Sequence, residues 1–166
     1  AGVAAAVLTA DCLVIHIAER AVGGRVALLH AARECLVPRS GAPSIVETVF
    51  GACGFSPESS HVYVGFGIRS CCYGFDKVPP AVLARYGSSV GVADKGPRKG
   101  KPSVDLRAIA KAQLRACGVS EDRISVNPQC TACLGREGGQ PGTGWSNVRD
   151  RPQAGRNAVV AWESKD

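Results

Sequence analysis

Asp11 and Cys12 stand side by side where an apolar run begins, in the stretch LTADCLVIHI at residues 8–17. A carboxylate beside a thiol at the mouth of a strand can titrate, ligate a metal or work as a nucleophile with a suitable base. His30 ends a second apolar run, VALLH, and is the natural partner. A thiolate and an imidazole from neighbouring strand ends can share a metal ion or form a nucleophile–base pair. His16 lies four positions beyond Cys12 on the same strand face and reads as core-facing or paired with a backbone group. By spacing alone, a core cysteine and a singly satisfied histidine are the default reading.

The elements that would position this pair are legible from periodicity. Val3 to Leu8, Cys12 to Ala18 and Val26 to His30 are rich in β-branched residues and read as strands. VGGR at 22–25 reads as a turn that makes the second and third an antiparallel pair. GAPSIVETVFGACG (41–54) reads as a helix with Ser44 or Gly41 near its cap, Pro43 near its first turn and Gly54 at its end. HVYVGFGI is a further strand, and Val78 to Tyr86 a short helix. SVDLRAIAKAQLRACG is the clearest helix: Ser103 to cap it, Asp105 in the positive first turn, Gly118 for a left-handed stop. Leu106, Ile109, Ala110, Leu114 and Cys117 fall on one of its faces. Arg123 to Val126 and Asn157 to Trp162 read as late strands. Strands and helices alternate without a regular βαβ beat, which favours α+β over a doubly wound sheet.

Other motifs are weaker. Cys130-Thr131-Ala132-Cys133 is a CxxC without a second knuckle, too few ligands for a structural zinc, and small buried thiols describe most of the eight cysteines better. With no export signal in a chain of this length, reduced thiols are expected rather than a disulfide framework. DKGPRKGKP (94–102) carries cations but has Pro102 where a Walker loop needs Ser or Thr, so it reads as a solvated loop or an electrostatic handle for phosphate or RNA. GFGIRS (65–70) lacks the third glycine and the helix of a dinucleotide site.

Composition sets the outer bounds. The 166 residues suit one domain, 45% of them are apolar and 20% charged, and the net charge is +6. Asp11, His16, Glu19 and Arg20 interrupt the one apolar stretch that could approach a membrane span. The chain contains no methionine. The expectation is a processed or shortened product, a single domain over 1–166 lacking an N-terminal part, in mitochondria or cytoplasm.

Taken in order, LTADCLVIHIAE, VALLHA, GFGIRSCCYGFD, KPSVDLRAIAKAQLRACGV, CTACLG, WSNVRD and GRNAVVAW resemble the YfiH-like family, also called laccase-domain or multicopper polyphenol oxidase. The resemblance implies an α+β layered α/β/β/α sandwich with mixed sheets. It implies purine nucleoside chemistry (phosphorolysis, or deamination of adenosine) at a zinc site. Matched residue by residue, Cys12 and His30 would be metal ligands, Asp11 and Arg149 catalytic, and Ser146 and Arg149 substrate-binding. The copper-oxidase label sits poorly with only three histidines, His16, His30 and His61.

Several positions depart from the family pattern. The family's His-Ala-Gly-Trp-Arg-Gly run is His30-Ala31-Ala32-Arg33-Glu34-Cys35 here, and Val148 replaces an arginine that could clamp an anion. Cys12 and His30 alone leave a zinc site incomplete, which implies well under one zinc per chain. Two function classes follow from the resemblance. One is a zinc-dependent nucleoside enzyme whose activity is weakened or lost. The other is a non-catalytic structural subunit, with a protein partner over its N-terminal edge and an RNA-containing organellar assembly as its setting.

Overall fold

The computed structural model describes residues 4–20, 24–134, 144–150 and 154–162. The turn expected at 22–25 lies largely outside the described residues. Strand β1 is Ala4–Thr9, β2 Leu13–Glu19, β3 Val26–Ala31 and β4 Ser60–Val64. Later come β5 Val90–Val92, β6 Pro102–Val104, β7 Ile124–Val126 and β8 Asn157–Trp162. The helices are α1 Arg33–Leu36, α2 Ile45–Gly51, α3 Pro80–Tyr86, α4 Leu106–Ala116 and α5 Asn147–Asp150.

The central sheet has the order β3-β2-β4-β7. The first two pairings are antiparallel and β4–β7 is parallel, so the sheet is mixed. Leu13, Ile15 and Ile17 of β2 are fully buried, and with Val62 and Val64 they meet Val46, Leu106, Ile109 and Leu114 from α2 and α4. Each such side chain contributes about 2 kcal/mol on burial. On the opposite face His16, Leu28 and Tyr63 line a cavity of about 280 Å³ with Val159, Val160 and Ala161 of β8. β8 pairs antiparallel with β1 along its whole length. The fold is α+β, as the periodicity implies.

Two helix starts differ in detail from the sequence reading. Asp105, not Ser103, caps α4: its carboxylate accepts from the Arg107 and Ala108 N–H groups at 3.0 and 3.1 Å. Ser103 is held in β6 by pairing with Gly91, so it cannot adopt a cap position. At α2, Ser44 makes a complete capping box with Glu47, and Pro43 precedes the cap rather than entering the first turn. The left-handed stop at Gly118 forms, with φ +96. Gly65 and Gly67 mark close approaches of the chain to β2, since a Cβ would meet Val14 O or Asp11 O at 2.9 Å. That is the physical reason for the glycines of GFGIRS.

The far end of β2 is tied by Glu19. Its carboxylate accepts from Arg25 Nε at 2.9 Å and from the Ser56 N–H at 2.8 Å. Hydrogen bonding to Arg25, then to the Ser56 backbone, lowers its pKa from 4.5 to about 2. A depressed carboxylate contributes stability that is present above the unfolded pKa and lost as pH falls through the folded one. Glu19→Gln should therefore flatten the loss of stability between pH 4.5 and about 2, read by urea unfolding across that range.

Candidate functional site

Asp11 sits in the turn between β1 and β2 with φ 98, the one positive value among the described non-glycine residues. Such a conformation is strained for an aspartate and persists only where its surroundings fix it. The surroundings here are specific. Asp11 O accepts from the Ile68 N–H at 2.8 Å. Its carboxylate, 5% exposed, accepts from the Thr131 hydroxyl at 2.6 Å and the Val148 N–H at 2.7 Å. Asp11 thus knots the start of β2 to the CxxC turn and to α5.

Cys12 follows directly and is half-buried, its carbonyl accepting from the Thr9 hydroxyl at 3.0 Å. Burial pushes its thiol pKa up, and the nearby Asp11, Cys35 and Glu34 add to the rise. At neutral pH it is a thiol unless a cation draws off the proton. Leu13 lies opposite Ala31 and Val14 opposite His30, so Cys12 and exposed His30 share one end of the β2–β3 pair. His16 lies further along, opposite Leu28 and Tyr63, where burial lowers its pKa. His61 is opposite Ala18 at the far end. Among the described residues no third metal-ligating side chain clusters with Cys12 and His30.

Ser146 and Arg149 flank Val148, whose N–H donates to the Asp11 carboxylate. Ser146 is fully buried ahead of α5, its hydroxyl accepting from the Arg149 N–H at 3.2 Å. The Arg149 guanidinium donates to the Asp150 carboxylate at 2.6 and 2.7 Å, to Gly144 O at 2.7 Å, to Thr131 O at 3.3 Å and to Leu134 O. A guanidinium has five N–H donors, and these bonds match them. An anion at Arg149 would have to displace one of them. Arg156 caps the carbonyls of Ala154 and Gly155.

All eight cysteines are free thiols. Four of them, Cys71, Cys72, Cys130 and Cys133, converge, with their Sγ atoms all within 4.8 Å of one another. The single CxxC read as a weak signal because the vicinal pair Cys71–Cys72 lies about sixty residues upstream in sequence. A parallel bridge between Gly67 and Cys130 joins the two segments. Burial pushes the Cys71 thiol up to about 12, with the Cys130 and Cys133 charges adding to it, and raises Cys72 as well. Burial also opposes ionisation of Cys130, but bonds from the Arg69 and Cys133 N–H groups outweigh it and leave its pKa lowered. Such a cluster can bind a metal ion.

A family model described as multi-copper polyphenol oxidoreductase laccase matches residues 1–164. The chain belongs to this YfiH-like, laccase-domain family. A Streptomyces griseus protein named purine nucleoside phosphorylase ORF3 is 33% identical over 97% of the chain, which covers 59% of that relative. A Xylella fastidiosa purine nucleoside phosphorylase is 29% identical over 98% of the chain and 57% of its own length. Among solved structures, YlmD from Geobacillus stearothermophilus superposes with a TM-score of 0.68 at 28% identity, covering 96% of this chain and 57% of that one. A Neisseria meningitidis protein gives 0.72 at 25%, covering 97% and 61%. This laccase-domain chain therefore spans well under two thirds of the length of these relatives. No helix among its described residues is long and apolar enough to cross a membrane.

Proposed function

We propose that this laccase-domain chain contributes the Cys12–His30 half of a purine nucleoside phosphorylase site. The observation that carries the reading is the placement of a thiol and an exposed imidazole at one end of the β2–β3 pair. The names of the curated relatives supply the substrate class. A thiolate and a neutral imidazole are zinc ligands in type, and the pair is one short of the set that a catalytic zinc takes from protein. Bound there, zinc would supply positive charge to the reacting phosphate and leaving group. In the reaction a phosphate oxygen bonds to the ribose C1′, the C1′–N bond breaks, and the base leaves with a proton, giving ribose 1-phosphate. Asp11 would hold the turn that presents Cys12, and Ser146 and Arg149 would frame the opposite wall.

The full engagement of the Arg149 donors favours a second reading, a divergent member with weakened or lost activity that serves as a structural subunit. An acidic or RNA-containing partner would meet the 94–102 loop. Of that loop's cations, Arg98 and Lys101 already pair with Asp76 at 3.1 and 3.2 Å, which leaves Lys95 and Lys99 for such a contact.

Incubation with inosine and adenosine, with and without phosphate, separates the readings by product analysis. The enzyme reading expects base plus ribose 1-phosphate, and only when phosphate is present. Adenosine converted to inosine without base release would move the chemistry to deamination. Oxidation of phenols with no purine turnover would overturn the proposal. No turnover of either kind would favour the structural subunit.

A further inference from the structure

We propose that Cys71, Cys72, Cys130 and Cys133 form a closed four-thiolate zinc site, separate from Cys12 and His30, that staples the CxxC turn beneath Asp11. The distances carry the argument. Cys72 and Cys133 Sγ atoms lie 3.6 Å apart, while Cys71 to Cys133 and Cys71 to Cys72 are each 3.8 Å. A tetrahedral zinc with Zn–S bonds of about 2.3 Å has sulfur–sulfur edges of about 3.8 Å. Cys130 completes the set within 4.8 Å. The spacing disfavours the other options. A disulfide needs sulfurs about 2.05 Å apart. An iron–sulfur cluster interposes several iron and sulfide atoms, for which sulfurs in mutual contact leave no room.

The surroundings point independently to an anionic centre. Zinc with four thiolates is net negative and is stabilised by nearby donors and cations. The Arg69 N–H donates to Cys130 Sγ at 3.4 Å. Arg107, 6% exposed, donates through Nη2 to Gly67 O at 3.1 Å and to Gln129 O, carbonyls flanking the two cysteine segments. Its Nε and Nη1 are buried without a hydrogen-bond partner. Two buried guanidinium nitrogens without a partner are costly, and the group lies within electrostatic reach of Asp105, Cys130 and Cys71. A negative metal–thiolate centre would add to the Asp105 carboxylate as counter-charge for this guanidinium.

The consequence reaches the other site. Thr131, between two of the thiols, holds Asp11, and Lys95 N–H donates to Cys71 O at 2.8 Å. Metal binding here would fix the turn preceding Cys12 and hold the 94–102 loop against the cluster. It also raises the expected zinc content from the fraction implied by Cys12 and His30 alone to one per chain.

The test uses the whole chain, purified under reducing conditions, loaded with zinc and dialysed. One zinc per chain is expected. It should be retained in the Cys12→Ala/His30→Ala double variant and lost from Cys71→Ser/Cys133→Ser. Cobalt substitution should give thiolate-to-cobalt charge transfer and the visible bands of a tetrahedral site. If the serine variants do not fold, the wild type still decides: at most four of its eight thiols should react with a thiol reagent before chelation, and the four of the cluster only after it. Chelation should lower Tm by on the order of 10 °C. Less than a tenth of an equivalent of zinc, loss of zinc in the Cys12→Ala/His30→Ala variant, or thiols that react alike with and without chelator would each overturn the proposal. Those outcomes are independent of purine turnover, so this site and the Cys12–His30 reading fail separately.

Discussion

Asp11→Ala is expected to destabilise the chain by about 3 kcal/mol. The carboxylate accepts from the Thr131 hydroxyl and the Val148 N–H in a buried position, and alanine leaves both donors unsatisfied. The backbone adds a second, separable effect. With φ 98 at this residue, a Cβ is strained and glycine is not. Asp11→Gly should therefore recover about 1 kcal/mol relative to Asp11→Ala despite having fewer atoms. Urea unfolding of the three proteins reads both effects. A loss under about 0.5 kcal/mol for Asp11→Ala would show that the knot carries little of the stability.

Arg149→Ala should cost a similar amount, about 3 kcal/mol, or roughly 10 °C in Tm. It strands the Gly144, Thr131 and Leu134 carbonyls and leaves the Asp150 carboxylate without its forked partner. Arg149→Lys should recover less than half of the loss, because one ammonium cannot reproduce the planar fork. Thermal unfolding measures this directly. A neutral Arg149→Lys would mean that the charge matters and the fork does not.

These two residues also mark where sequence reading reaches its limit. The helix α4 was legible because Leu106, Ile109, Ala110 and Leu114 repeat at helical spacing, and all are buried. The β2–β3 pair was legible from two β-branched runs separated by a short glycine turn, and the observed register follows that arrangement. That pairing alone brings Cys12 and His30 to the same end. The pairing of β1 with β8 had no local signal, since the partners lie near opposite ends of the chain. Asp11 looked like a chemical group because sequence shows only its neighbour Cys12. Its partners Thr131 and Val148 arrive from 120 and 137 residues away. The four-thiol cluster was hidden for the same reason: neither Cys71–Cys72 nor the CxxC is a metal signal until the Gly67–Cys130 bridge joins them. The exchange of cap between Ser103 and Asp105 is smaller in kind. Both are good caps, and strand pairing of Ser103 decides between them.

Phosphate-dependent cleavage of inosine by the zinc-supplemented wild type and by His30→Ala tests the role of the Cys12–His30 pair most directly. His30 is exposed, so its replacement should leave Tm unchanged within about 1 °C. Ribose 1-phosphate should form with the wild type and fall by at least on the order of 100-fold in His30→Ala. Equal turnover by the two proteins would contradict that role.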